Sequence, residues 1–193
     1  MNHMKKITVF NHVTIDGYYA GPNGEIDWFY AVPHDNEWHK YTHSQAGGNS
    51  TLIFGRTTYE MMKSYWPTPD AIKNDPGMAK SVNESPKIVF SKKIKSAKEE
   101  PNWKKITLYH EINPDQIIKL KKKNDMTILG SGSIVQQFSN LNLIDNYFLV
   151  VVPVILGAGK SFFDGVAKKN LKLVEARSFK NGIVLLHYKS NKK

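Results

Sequence analysis

Residues 5–15 alternate, with Ile7, Val9, Val13 and Ile15 on one side and Thr8, His12 and Thr14 on the other, and they are rich in β-branched side chains. That period of two predicts a strand. Short apolar runs at 50–54, 87–91, 106–109 and 126–129 predict four more strands. Between them lie stretches with helical signals. A helix is expected over 33–46, closed by Gly47 and Gly48. After Gly55, Thr57 or Thr58 is the expected N-cap of a second helix, with Thr57 and Glu60 at capping-box spacing. Pro114 suits the first position of a third helix, and a fourth is expected over 133–141. Residues 17–24 are rich in glycine and read as a loop. The stretch 66–85, punctuated by Pro67, Pro69 and Pro76, reads as an irregular excursion.

From Asp145 the pattern changes. Three β-branched apolar segments follow, at 145–155, 171–179 and 183–190, and Asn181-Gly182 between the last two is a hairpin signal. Alternating β and α units followed by a β-rich tail predict an α/β fold. Its sheet is mixed but mostly parallel, with helices on both faces and a C-terminal antiparallel hairpin. A single domain over residues 1–193 accommodates it; Met4 is an alternative start that would leave residues 1–3 outside the natural chain. Ligands of such sheets bind beyond the carboxyl ends of the strands, so the strand-to-helix junctions are where chemistry is expected.

Composition narrows the chemistry. The chain has no cysteine, which removes disulfides, thiolate nucleophiles and zinc-thiolate sites. Its longest apolar stretch, 147–156, is about half a membrane span and contains Pro153, and no signal-peptide core precedes the first strand; a cytoplasmic protein without a membrane partner is expected. The net charge of +10 raises the question of nucleic acid, but Arg56 and Arg177 are the only arginines. Eleven lysines against four acids between Lys87 and Lys123 read instead as a solvated face that also attracts small anions, so no specific nucleic-acid partner is expected. His12, His34, His39 and His43 follow no metal-ligand spacing with carboxylates, and no metal is expected. Trp28, Phe29, Tyr30, Trp38, Tyr65 and Trp66 read mainly as packing, with room for one or two to stack on a flat heterocycle.

Two junctions share one design. At Phe54-Gly55-Arg56-Thr57-Thr58 and at Leu129-Gly130-Ser131-Gly132-Ser133-Ile134 a strand ends, glycine allows close backbone approach, and a helix begins. The unpaired N–H groups and dipole of each helix start favour a phosphate, and Arg56 can add a charge-assisted contact. Neither junction is a Rossmann fingerprint, since Val135 stands where a third glycine would be, and no Gly-Lys-Ser/Thr loop occurs.

In order and spacing, Thr14-Ile15-Asp16-Gly17, Phe54 to Glu60, Val89-Phe90-Ser91-Lys92 and Leu129 to Ser133 resemble the dihydrofolate reductase superfamily. Asn142-Leu143-Ile144-Asp145 and the stretch from Val152 to Phe163 favour the branch similar to the reductase domain of the bifunctional riboflavin-biosynthesis deaminase-reductase. The resemblance implies NADPH across the carboxyl edge of the sheet. Gly55, Arg56, Thr57 and Thr58 would meet its phosphates, and Gly130, Ser131, Gly132, Ser133 and Ile134 its pyrophosphate. Ser91 and Lys92 would lie near the adenosine 2′-phosphate, with Lys92 where the family often has arginine.

Reduction of a C=N or C=O bond also needs a proton source or an electrostatic partner. By the resemblance Asp16 contacts substrate; as a residue it is equally an Asp-Gly turn that caps its own backbone. Asp35 and Glu37 correspond to the carboxylate with which dihydrofolate reductases hold a pterin, or else are ordinary acids at a helix start. The expected function is an NADPH-dependent reductase of a small heterocycle, similar to the 5-amino-6-(5-phosphoribosylamino)uracil reductase. Its alternatives are a nucleotide-binding protein without that activity and a dihydrofolate reductase. Fold analogy makes a homodimer compatible with the β-rich C-terminal third.

Overall fold

The computed structural model describes residues 4–46 and 50–191. The first strand, β1 (Ile7–Thr14), sits near the middle of an eight-stranded sheet. On one side of it lie β6 (Met126–Leu129), β3 (Thr51–Gly55), β4 (Lys87–Phe90) and β5 (Ile106–Tyr109), in that order outward. On the other lie β7 (Asn146–Val152), β10 (Val184–Ser190) and β9 (Leu171–Ser178). The six strands from β5 to β7 are mutually parallel, while β10 runs antiparallel to both of its neighbours. The predicted mixed sheet with a C-terminal antiparallel hairpin is therefore what forms.

Alternation along each strand sorts the core into two faces. Val9, Ile53, Ile88, Phe90, Ile128 and Tyr147 meet α5 (Pro114–Lys121) through Ile117 and α6 (Gly132–Asn140) through Ile134, Val135 and Phe138. On the opposite face Leu52, Phe54 and Val89 pack against Tyr59 of α2 (Arg56–Tyr65), Val82 of α4 (Pro76–Glu84) and Trp103. Further along that face Phe10, Phe148, Val150 and Leu185 pack with Trp38 and Tyr41 of α1 (Asn36–Ala46). Among the described residues no helix is long and apolar enough to cross a membrane.

Several local expectations change. Residues 66–85 are not irregular: they contain α3 (Pro69–Asn74) and α4. Thr68 and Asp75 accept N–H bonds from Ala71 and Met78 as N-caps, so Pro69 and Pro76 open helices rather than interrupt one. Neither Thr57 nor Thr58 caps α2: Gly55 does, and Arg56 is already helical. The capping box is thereby displaced, and Glu60 pairs with Arg56 at 2.7 Å across one turn. The glycine-rich loop includes β2 (Tyr18–Ala20), which pairs with β8 (Lys160–Ser161) in a small second sheet that the sequence did not reveal. The strand expected over 145–155 ends at Val152, before Pro153. Gly47 and Gly48, expected to close α1, lie outside the described residues, as do residues 1–3.

One buried charge stands out at the amino end of β4. Lys87 is 1% exposed; its ammonium donates to the carbonyls of Asn83, Ser85 and Lys104 and lies 4.4 Å from the Trp103 ring centroid. Desolvation, aided by Lys105, pulls its pKa down to about 8.

Phe138 is fully buried and fixes α6 to the sheet. Phe138→Ala should cost about 3–5 kcal/mol in urea unfolding. A loss under about 1 kcal/mol would mean that α6 does not depend on this contact.

Candidate functional site

The neighbouring parallel strands β3 and β6 bring the two glycine junctions side by side. Gly55 leads directly into α2, and Gly130-Ser131 leads into α6. Gly130 has φ +57° and Ser131 has φ +58°, the left-handed region that disfavours side chains. Ser131 is held there by three bonds. Its N–H donates to Thr58 Oγ1 (3.1 Å), and its hydroxyl accepts from Gly55 N (2.9 Å) and donates to Leu129 O (3.2 Å). The two helix starts are thereby locked into one unit.

A side chain at these glycines would be crowded, most severely at Gly132. A Cβ on Gly130 would lie 3.1 Å from Thr58 side-chain atoms, one on Gly55 3.2 Å from Ile134 Cγ1, and one on Gly132 2.4 Å from the Tyr19 ring. Tyr19 thus forms a wall of the junction, which the sequence alone did not suggest; the adjacent Asp-Gly turn is the only signal that could have drawn attention to it. The first turns of α2 and α6 carry no acid; that of α4 carries none either but is capped by Asp75, and α1, α3 and α5 carry Glu37, Asp70 and Asp115 in theirs. The positive ends of these two dipoles are consequently not offset by their own side chains.

The structure places the other expected residues as follows. Thr57 and Ser133 are exposed, and Arg56 lies at the head of α2 in its exposed pair with Glu60. Ile134 is buried in the core and its N–H donates to Ser131 O (2.8 Å), so it holds the start of α6 rather than facing the edge. Ser91 follows β4, and its hydroxyl accepts from Lys93 N (3.1 Å) and Ile94 N (3.0 Å). That bonding shapes a turn and leaves Lys92 exposed beside it.

The carboxylates divide. Asp16 follows β1, next to β6, and accepts from Thr14 Oγ1 (2.6 Å), Gly157 N (2.7 Å) and Leu156 N (3.3 Å). The Thr14 hydroxyl, then these backbone amides, hold its pKa below the ordinary value. Asp35 caps α1, accepting from Glu37 N (2.7 Å) and Trp38 N (3.2 Å), and it also accepts from Asn181 N (3.2 Å) in the β9–β10 turn. Burial opposes its ionisation, but the surrounding amides prevail and its pKa is lowered. Glu37 pairs with Arg177 of β9 at 2.6 Å. Asp35 and Glu37 therefore engage the hairpin end of the sheet, while Asp16 ties the end of β1 to the segment that follows β7.

His12 of β1 stacks on Phe29 with centroids 4.7 Å apart and meets Trp38 edge-on at 6.0 Å. Burial pushes its pKa down to about 4.

Comparison with known proteins fixes the relationship. Residues 5–185 match the RibD C-terminal domain family. The chain belongs to that family. An uncharacterized protein of Bacillus subtilis (strain 168), YyaP, is 31% identical over 182 residues, covering 93% of this chain and 92% of its own. Three solved structures share the fold. A Shewanella sp. PV-4 protein assigned to riboflavin biosynthesis superposes with a TM-score of 0.75 at 21% identity, over 97% of this chain and 99% of that one. The Thermotoga maritima diaminohydroxyphosphoribosylaminopyrimidine deaminase/5-amino-6-(5-phosphoribosylamino)uracil reductase gives 0.65 at 15% identity, over 97% of this chain and 57% of that one. Enterococcus faecalis dihydrofolate reductase, complexed with NADP(H), gives 0.63 at 16% identity, over 98% of each chain. The RibD C-terminal domain thus carries a dihydrofolate-reductase-like fold here.

Thr58→Val removes the acceptor of the Ser131 N–H and should lower unfolding stability by roughly 1–3 kcal/mol. Unchanged stability would show that the lock does not depend on it. Between about 4 and 6.5 the unfolded chain binds a proton that folded His12 refuses, so acidification through that window should destabilise the protein. His12→Phe should flatten the decline in denaturation midpoint between those pH values; an identical decline in both proteins would refute the assignment.

Proposed function

We propose that this protein is a nicotinamide-dependent reductase of a small heterocyclic substrate, using NADPH. The observation that carries the reading is the pair of acid-free helix starts on adjacent strands, cross-tied by Ser131 and stripped of side chains at Gly55 and Gly130. Such a cradle fits a diphosphate: backbone amides face the anion, two dipoles favour it, and the backbone can approach closely. Family membership and the NADP(H) complex of the structurally similar dihydrofolate reductase support the same cofactor.

In this reading Arg56, Thr57 and Thr58 bind phosphate oxygens on one side and Gly132 and Ser133 do so on the other, while Gly55, Gly130, Ser131 and Ile134, three of whose amides are already bonded within the junctions, shape the cradle. Arg56 exchanges its exposed partner Glu60 for phosphate at small cost, because such surface pairs contribute little. Lys92 supplies a point charge for the 2′-phosphate without the planar fork of arginine, and Ser91 shapes the turn that presents it. When bound, the nicotinamide would supply a hydride to the substrate. Asp16, ionised at neutral pH, orients the substrate edge and ties the segment around Gly157 to the end of β1, rather than donating a proton itself.

Family membership supports, as substrate class, a pyrimidine of the 5-amino-6-(5-phosphoribosylamino)uracil type. A second reading, a nucleotide-binding protein without that activity, is favoured by one fact: the carboxyls of Asp16 and Asp35 already accept three hydrogen bonds each.

Titration with NADPH should show saturable binding tighter than about 1 mM, weakened in Lys92→Ala and weaker still for NADH. A short DNA duplex should not compete. Absence of NADPH binding would sink both readings. NADPH consumption with a panel of pyrimidine and pteridine substrates, lost in a folded Asp16→Ala variant that still binds NADPH, would select the reductase. Binding without turnover on any substrate would select the second reading.

A further inference from the structure

A separate cluster of ligating side chains lies away from the glycine junctions. His39 and His43 occupy positions i and i+4 of α1, so both project from one face of the helix. Their ring centroids are 4.0 Å apart at an interplanar angle of 34°. Asp75, at the joint between α3 and α4, approaches the same face. Its Oδ1 is fixed as the N-cap of α4, accepting from Met78 N at 2.9 Å, which leaves Oδ2 3.0 Å from His43 Nε2. One ligand atom each from His39, His43 and Asp75 falls within 4.8 Å of the others.

We propose that His39, His43 and Asp75 form a divalent transition-metal site, with Zn²⁺ the best-matched ion. Two histidines at i and i+4 on one helix are the spacing with which helices bind zinc, and two imidazoles with one carboxylate are a donor set of the appropriate chemistry. Zinc bonds of about 2.0–2.1 Å require the three donors to draw somewhat closer, which rotation of partly exposed side chains supplies. Three protein ligands leave a fourth position for water. The carboxylate comes from 32 residues beyond His43, so no local spacing in the sequence discloses the site. The bound ion clamps α1 to the start of α4.

A simple ion pair between His43 and Asp75 would explain their contact but gives His39 no part. That difference decides the test. Chelator-treated full-length protein is titrated with Zn²⁺ by calorimetry, and with Co²⁺ while visible absorption is followed as a reporter of ligand geometry. One saturable site and a higher melting temperature with Zn²⁺ are expected. His39→Ala and Asp75→Asn, the latter retaining an N-capping oxygen, should each weaken binding by roughly tenfold or more and abolish the Co²⁺ absorption while circular dichroism stays native. Saturable binding that survives both substitutions would place the ion elsewhere and overturn the proposal. So would the absence of saturable binding in the folded wild-type protein, or loss in Asp75→Asn alone.

Discussion

The left-handed conformation of Ser131 is the constraint on which the carboxyl edge depends. A non-glycine residue at φ +58° is strained, and the strain persists only because neighbours over-determine it. Here the neighbours are the amide of Gly55, the hydroxyl of Thr58 and the carbonyl of Leu129, drawn from both junctions. One serine thereby converts two separate strand-to-helix turns into a single surface with fixed spacing. The deeper packing serves the same end, because Ile134 and Phe138 hold α6 against the sheet on the face opposite α2.

The architecture was legible because it rests on local patterns. The period of two in residues 5–15, the short apolar runs and the Asn181-Gly182 turn correspond to β1, β3 to β7 and the β9–β10 hairpin. Gly55 and Gly130 also announced themselves, since glycine between a strand and a helix has a direct backbone meaning. What escaped was settled by distant partners. Pro69 and Pro76 suggested interruption, yet the caps preceding them made them helix starters. Thr58 looked like a cap for its own helix and instead accepts from Ser131, 73 residues away. β2 is too short to show periodicity and exists because β8 pairs with it from the far side of the sequence.

The acids illustrate the same distinction. Asp16, Asp35 and Glu37 were all chemically eligible to touch a substrate, and sequence distance to the glycines could not rank them. Topology does. β1 outruns β6 by four residues and follows β7 to its end, so Asp16 meets Leu156 and Gly157, whereas α1 packs over β7 and β10 and takes Asp35 and Glu37 toward Asn181 and Arg177. Asp16 is kept ionised by the Thr14 hydroxyl and then by backbone amides, and Asp35 by backbone amides, a state suited to anchoring and orientation.

The buried ammonium of Lys87 has a bearing on strand alignment. Three carbonyls receive it at one position of β4, under the Trp103 ring. A slip of β4 by one residue would swing that side chain to the other face of the sheet, among Ile53 and Ile128, with a charge and no acceptors. Lys87 therefore acts as a key that admits one register between β3 and β5. Because β4 is only four residues long, that key also dictates where the strand stops, and with it the height at which Ser91 and Lys92 emerge beside the glycine cradle.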